Sequence, residues 1–266
     1  MKSKLKKQSS WLLAVVIIAG LLALLGPSVI GDQVAQANSS TTDAASLSIN
    51  AKNENPGVLP PNSKAFGKSY GEWSAEFWKW LFSMPVDQHP LFETADCSQN
   101  QAGKVWFLGG TFTTTDPSPG VVVGKAARKC TVPTGKAFFF PIINLVCSEI
   151  EGDGTTEEEL REECANFLVD TFVNPDDLSA KIDGVEIDNL QVYRADSPLF
   201  TFGPLPDPNL PEEAPGSTSI AVADGYYLLL APLSKGEHTI DFAGRVVVPD
   251  VVDFSLDISY ELTVVN

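Results

Sequence analysis

The chain has 266 residues, 44% of them apolar, with 34 acidic and 18 basic side chains, two histidines and a formal charge of −16. That acidity excludes nucleic acid as a partner, since phosphate binding needs a basic surface, and it disfavours anionic lipid surfaces. Length and apolar content provide for one large β domain or two small ones with a real core.

Lys2, Lys4, Lys6 and Lys7 form a basic n-region, and Trp11 to Leu25 is an unbroken apolar stretch that Gly26-Pro27 interrupts. Ala35-Gln36-Ala37 supplies the small residues signal peptidase needs, so residues 1–37 read as a signal peptide cleaved before Asn38. An exported protein, periplasmic or extracellular, follows from this. The alternative is an uncleaved signal anchor, because Trp11 to Ile30 approaches a bilayer span. No Cys stands near the cleavage site for a lipid anchor, and no later segment predicts a membrane span. Without residues 1–37 the chain keeps 14 basic and 33 acidic residues, a charge of −19. Residues 38–64, rich in Ser, Thr, Asn and Pro, read as a flexible leader, and residues 65–266 as a single mainly-β domain.

The first element is a helix over 69–83. Ser69 and Glu72 make a capping box, Met84-Pro85 ends the helix, and Trp73, Phe77, Trp80 and Leu81 share one apolar face. Trp78 and Phe82 lie on a neighbouring face, so the helix is expected to be packed into the protein. Strand-like runs follow at Lys104–Leu108, Val121–Val123 and Lys136–Val146. Contiguous Phe138, Phe139 and Phe140 suit a strand covered on both faces. A second helix is predicted over 157–172, capped by Thr156 and Glu159, with Leu160, Cys164, Phe167 and Leu168 as its core stripe. Beyond it, a hairpin turns at Asp183-Gly184, and strands are expected at Leu190–Tyr193, Leu199–Phe202, Tyr226–Leu230, Glu237–Phe242 and Phe254–Val265. The proline-rich stretch Gly203–Ser217 predicts an irregular loop. The pattern as a whole predicts an antiparallel β-sandwich with two packed α-helices.

The segments GEWSA (71–75) with Trp78 and Trp80, His89-Pro90, Cys97, GKVWFLGG (103–110), Cys130-Thr131-Val132-Pro133, GKAFFFP (135–141), DGYY (224–227) and GEHTI (236–240) run through the chain. Together they resemble a family of uncharacterised exported bacterial proteins, over roughly residues 67–245. The resemblance implies export and brings no catalytic or binding residues with it.

Cys97, Cys130, Cys147 and Cys164 all lie in the exported part, an even count that reads as two disulfides with three possible pairings. C-x-x-C is absent, which argues against a zinc ribbon or a thioredoxin-like site. Cys97 and Cys130 stand at similar distances ahead of the runs at Val105 and Ala137, so neighbouring strands of the same direction would bring them together. Cys147 ends a strand and Cys164 lies on the buried stripe of the next helix, which predicts Cys97–Cys130 and Cys147–Cys164.

Few segments offer chemistry. Asn62–Ser69 (NSKAFGKS) lacks the first glycine of a phosphate-binding loop and no strand precedes it. Glu149, Glu151, Asp153 and Gly154 resemble the start of a calcium loop, but Leu160 stands where the closing Glu belongs. Calcium is therefore expected only if distant residues complete the site, and no other cofactor is implied. His89 has Asp87, Glu93 and Asp96 nearby in sequence, and His238 alternates with Ile240 and Phe242. Gly-x-Ser-x-Gly is missing. The candidate polar or aromatic site is His89, His238, Glu72, Trp78 and Trp106. Trp73, Trp78, Trp80, Trp106, Tyr226 and Tyr227 are the residues for a sugar-stacking platform, although their spacing predicts core packing. The expected function is non-enzymatic, binding or structural, with a carbohydrate or protein partner. The alternative is an extracytoplasmic hydrolase with loop carboxylates.

Overall fold

The computed structural model describes residues 57–266 apart from 90, 93–96, 112–117, 119 and 168–171, so the signal segment and residues 38–56 lie outside the described residues. Helix α1 spans Tyr70–Phe82. It starts where the Ser69 hydroxyl accepts from the Glu72 amide and the Glu72 carboxylate accepts from the Ser69 amide at 2.7 Å, which satisfies two otherwise orphaned donors. Its Phe77, Trp78, Trp80, Leu81 and Phe82 are buried on two sides, while Trp73 is half-buried. Helix α2 spans Glu157–Phe167, with Thr156 and Glu159 in the predicted reciprocal cap. It is shorter than expected. Phe172 is already a turn residue, whose carbonyl accepts from Val247, and Leu168 lies outside the described residues.

The strands are β1 (Val105–Phe107), β2 (Val121–Pro133), β3 (Ala137–Ser148), β4 (Ser179–Ile182), β5 (Val185–Glu186), β6 (Arg194–Asp196), β7 (Phe200–Phe202), β8 (Ser219–Leu230), β9 (Gly236–Val248) and β10 (Val252–Val265). They form two sheets. The first runs β1-β3-β8-β6, with β7 also on β8, and the second runs β2-β10-β9-β4-β5. Both are mixed, because β1 pairs with β3 in parallel and β2 pairs with β10 in parallel. The sandwich with two helices stands, and two of its pairings run the other way from an antiparallel meander. Leu190–Tyr193 forms a 3₁₀ turn in place of the expected strand. Asn189 enters it at a left-handed φ of 56°, which Asn tolerates, and Leu190 and Tyr193 are buried at the three-residue spacing of such a turn.

Phe138–Phe140 are covered on both faces, as their contiguity implies. Phe139 packs under α1 against Phe77 and stacks on Tyr227, whereas Phe140 stacks on Phe242 of the second sheet. Part of the supposed leader belongs to the fold. Val58 bridges to Leu230, Leu59 donates to the Leu229 carbonyl, and the Tyr70 hydroxyl donates to the Leu59 carbonyl at 2.6 Å. The disulfides are Cys97–Cys130 and Cys147–Cys164, with Cα separations of 6.0 and 5.7 Å. The neighbouring parallel strands β1 and β3 are those the first pairing required, although Cys130 itself lies within β2. Two such links indicate folding in an oxidising compartment. Among the described residues no helix is long and apolar enough to cross a membrane.

Candidate functional site

The residues singled out in the sequence are dispersed, and most of them hold the fold. Glu72 is the α1 cap. His89 is buried beyond the C-terminus of α1. Its Nε2–H donates to the Leu81 carbonyl at 3.0 Å and its Nδ1 accepts from the Leu91 amide, a pattern only the neutral ring satisfies. Burial pushes its pKa down to about 4, against the opposing pull of the Leu81 carbonyl. Asp87 is exposed and does not join it, and Glu93 and Asp96 lie outside the described residues.

His238 sits at the edge of the core on the face of Ile240 and Phe242. Its Nδ1 is 2.7 Å from the Asp183 carboxylate, and its Nε2 is 3.3 Å from the Ser234 hydroxyl and 2.9 Å from the Ser234 carbonyl. The alignment has the residue types of a hydrolytic triad. The ring, however, meets an acceptor-only oxygen at each nitrogen, so both nitrogens must donate and Nε2 has no lone pair for the serine proton. His238 is a charged clamp between the Asp183-Gly184 turn and the loop before β9. Burial opposes that charge, but Asp183 and the Ser234 carbonyl together raise the pKa.

The phosphate-loop and calcium-loop segments are also committed elsewhere. Lys68 pairs with Glu76 at 3.1 Å and Ser69 caps α1. Glu149 is exposed, while Glu151 accepts from the Ser148 hydroxyl at 2.7 Å and Asp153 from the Ser148 amide at 2.8 Å. Burial raises both carboxyls, Glu151 to about 7. Among the described residues no group of three or more His, Cys, Asp or Glu side chains is placed to hold a metal ion. Trp78, Trp80, Trp106, Tyr226 and Tyr227 are buried and form no surface platform.

Trp78 leads to a different site. On β3 an extra residue interrupts the pairing with β8 between Pro141 and Ile143, a β-bulge. Side chains alternate along a strand, so one inserted residue exchanges faces beyond it. Asn144 is thereby turned to the helix-facing side, with Phe139 and Tyr227, in place of Ile143. Directly opposite stands Gly225, where a Cβ would lie 2.6 Å from the Asn144 Cβ and 2.8 Å from the Ile143 carbonyl oxygen. Glycine lets Asn144 approach the Tyr227 hydroxyl beneath α1, and α1 adds Ser74 and Trp78 from above. The Tyr227 hydroxyl interacts with Asn144, Trp78 and Ser74. Even so, the Trp78 Nε1, Asn144 Nδ2 and Tyr227 Oη atoms are buried and none has a well-formed hydrogen bond among the described residues. The Ser74 hydroxyl donates to the Gly71 carbonyl at 2.8 Å and keeps acceptor capacity only. Burial and the Asp224 carboxylate hold the Tyr227 phenol protonated.

This cluster joins residues of the GEWSA segment, Trp78 and the DGYY segment, far apart in the chain. Its strongest sequence signal is Asn144, the one polar side chain in the run Phe138–Val146. Trp106 bears a further buried indole N–H without a partner among the described residues, on β1, next to β3.

Fold and site thus define a disulfide-linked mixed β-sandwich with a buried, donor-rich polar cluster under an aromatic helix. No protein-family model matches the chain, and no curated protein matches it.

Proposed function

We propose that this chain is an exported, non-enzymatic binding protein of the periplasm or the medium. In this reading it holds the neutral, acceptor-bearing end of a small ligand, a carbonyl or hydroxyl oxygen, at Trp78, Asn144 and Tyr227. The observation that carries the reading is the meeting of three buried polar atoms with no well-formed hydrogen bond among the described residues. Leaving a buried donor unmade costs about 1–3 kcal/mol, and native proteins tolerate few such groups without a use for them. The indole and amide nitrogens offer only hydrogens, so the complementary group must accept. The Asp224 carboxylate close to Tyr227 favours a neutral group over an anion. Against the hydrolase alternative weighs the use already made of Glu72, His89 and His238. Export is supported by the basic n-region, the apolar stretch, Ala35-Gln36-Ala37 and the two disulfides.

Native mass spectrometry of the intact protein from its oxidising compartment tests this. A small molecule retained by the wild type, released on denaturation and lost in a Trp78→Phe protein that still unfolds cooperatively, at a lower melting temperature, is the expected result. The same retained species in Trp78→Phe and Tyr227→Phe, or none in the wild type, overturns the reading.

A further inference from the structure

A second site lies between the sheets and is independent of the first. Along β2, alternation turns Lys125, Ala127, Lys129 and Thr131 outward and Gly124, Ala126, Arg128, Cys130 and Val132 inward. Arg128 is thus an arginine inside a β-sandwich, 6% exposed. Its Nη1 is held on one side, donating to the Gly109 carbonyl at 2.8 Å and to the Tyr260 hydroxyl at 2.9 Å. The Tyr260 hydroxyl itself donates to the Gly109 carbonyl at 2.7 Å. The Tyr260 ring lies 5.6 Å from the guanidinium carbon. The opposite edge, Nε and Nη2, is buried and has no partner among the described residues.

A guanidinium keeps its charge in a protein interior, and among the described residues only neutral groups face this one. The molecule shows what its arginines do elsewhere with the same edge. Arg194 presents Nε and Nη2 to the two oxygens of Asp224 at 3.1 and 2.7 Å, and Arg245 presents them to Asp253 at 2.7 and 2.6 Å. The most buried of the three is the one that meets no carboxylate among the described residues. We propose that the Nε–Nη2 edge of Arg128 binds a small carboxylate anion between the two sheets. Tyr260 and the Gly109 carbonyl fix the plane of the guanidinium, so the fork is aligned before the anion arrives.

Formate, the smallest carboxylate, is the probe. Thermal unfolding of the full protein is followed as formate is raised at ionic strength held constant with sodium fluoride. Above its dissociation constant, wild type gains about 3–5 °C for each tenfold rise in formate. Arg128→Met gains nothing and melts no lower than wild type in formate-free buffer. Arg128→Lys, which keeps the charge and loses the fork, gains less than half the wild-type shift and stands in should Arg128→Met fail to fold. A formate response equal in wild type and the variants overturns the proposal, as does a flat wild-type curve. A chloride titration matching that of formate overturns the carboxylate geometry. Asp116, outside the described residues, provides the internal control: formate that stabilises Asp116→Asn but not wild type assigns the site to the chain's own carboxylate and overturns a free ligand.

Discussion

At the scale of single residues, the cluster under α1 makes an unusual mutational prediction. In protein stripped of any bound ligand, removing a buried hydroxyl that lacks a good partner relieves a desolvation cost, so Tyr227→Phe should leave the melting temperature unchanged or raise it. A loss of more than about 1 kcal/mol in urea unfolding would show that the hydroxyl is well satisfied. The two histidines should answer pH in opposite senses. His89 is neutral in the fold, with a pKa lowered to about 4. The unfolded chain binds the extra proton first, so this stability is complete above pH 6.5 and is lost as pH falls towards 4, by about 2–3 kcal/mol. Urea midpoints at pH 7.5 and 4.5 should therefore separate more in wild type than in His89→Gln. The pKa of His238 is raised, so its contribution is complete below pH 6.5 and fades as pH rises through the folded value. Asp183→Asn should cost about 1 kcal/mol or less at pH 5, because Asp183 is half-exposed, and still less at pH 9.

At the scale of elements, the bulge in β3 is held from two sides. Gly225 makes room in the neighbouring strand, and Gly244 of β9 makes room in the facing sheet, where a Cβ would stand 2.8 Å from the Ile142 carbonyl oxygen. Gly225→Ala should destabilise the protein by about 1–3 kcal/mol, measured by thermal unfolding, because the added methyl meets backbone and Asn144 together. The turn after β3 gives a prediction of the other sign. Glu151 is raised to about 7, so folding favours its neutral form, and that benefit is lost as pH climbs from 4.5 through 7. Glu151→Gln should raise the melting temperature at pH 8 and leave it nearly unchanged at pH 4. Helix α1 was legible in the sequence because its cap and its 3.6-residue period agree. Strand β2 was legible only at its start. Beyond Val123 its inward positions hold Gly124, Ala126 and Arg128, so apolar alternation vanishes although the backbone pairing continues. Arg128 therefore leaves no signal in the hydrophobic pattern. The faces beyond the bulge were hidden for a different reason: no local pattern tells where one extra residue enters a ladder, and plain alternation from Phe140 would turn Asn144 towards the second sheet.

At the scale of the molecule, the two disulfides tie a loop to β2 and a helix to β3. Cys147–Cys164 fastens α2 to β3 across a separation of 17 residues. Replacing both of its cysteines with serine should cost about 3 kcal/mol, or roughly 6–12 °C by calorimetry. An unchanged melting point would mean that Leu160 and Val222 hold the helix by themselves. The sheet order has a consequence for the time course of assembly. Strand β10 fills the space between β2 and β9 and pairs along its length with both, and residues 132 positions apart form ion pairs across its seam with β2. A ribosome, or a translocation channel, delivers β2 long before β10. Until the fourteen residues of β10 appear, β2 has no neighbour in its sheet among the described residues, and β9 offers an open edge that invites pairing with another chain. Completion of the second sheet therefore waits for β10, and a chain stopped short at Asp250 is an aggregation hazard rather than a slightly weakened protein.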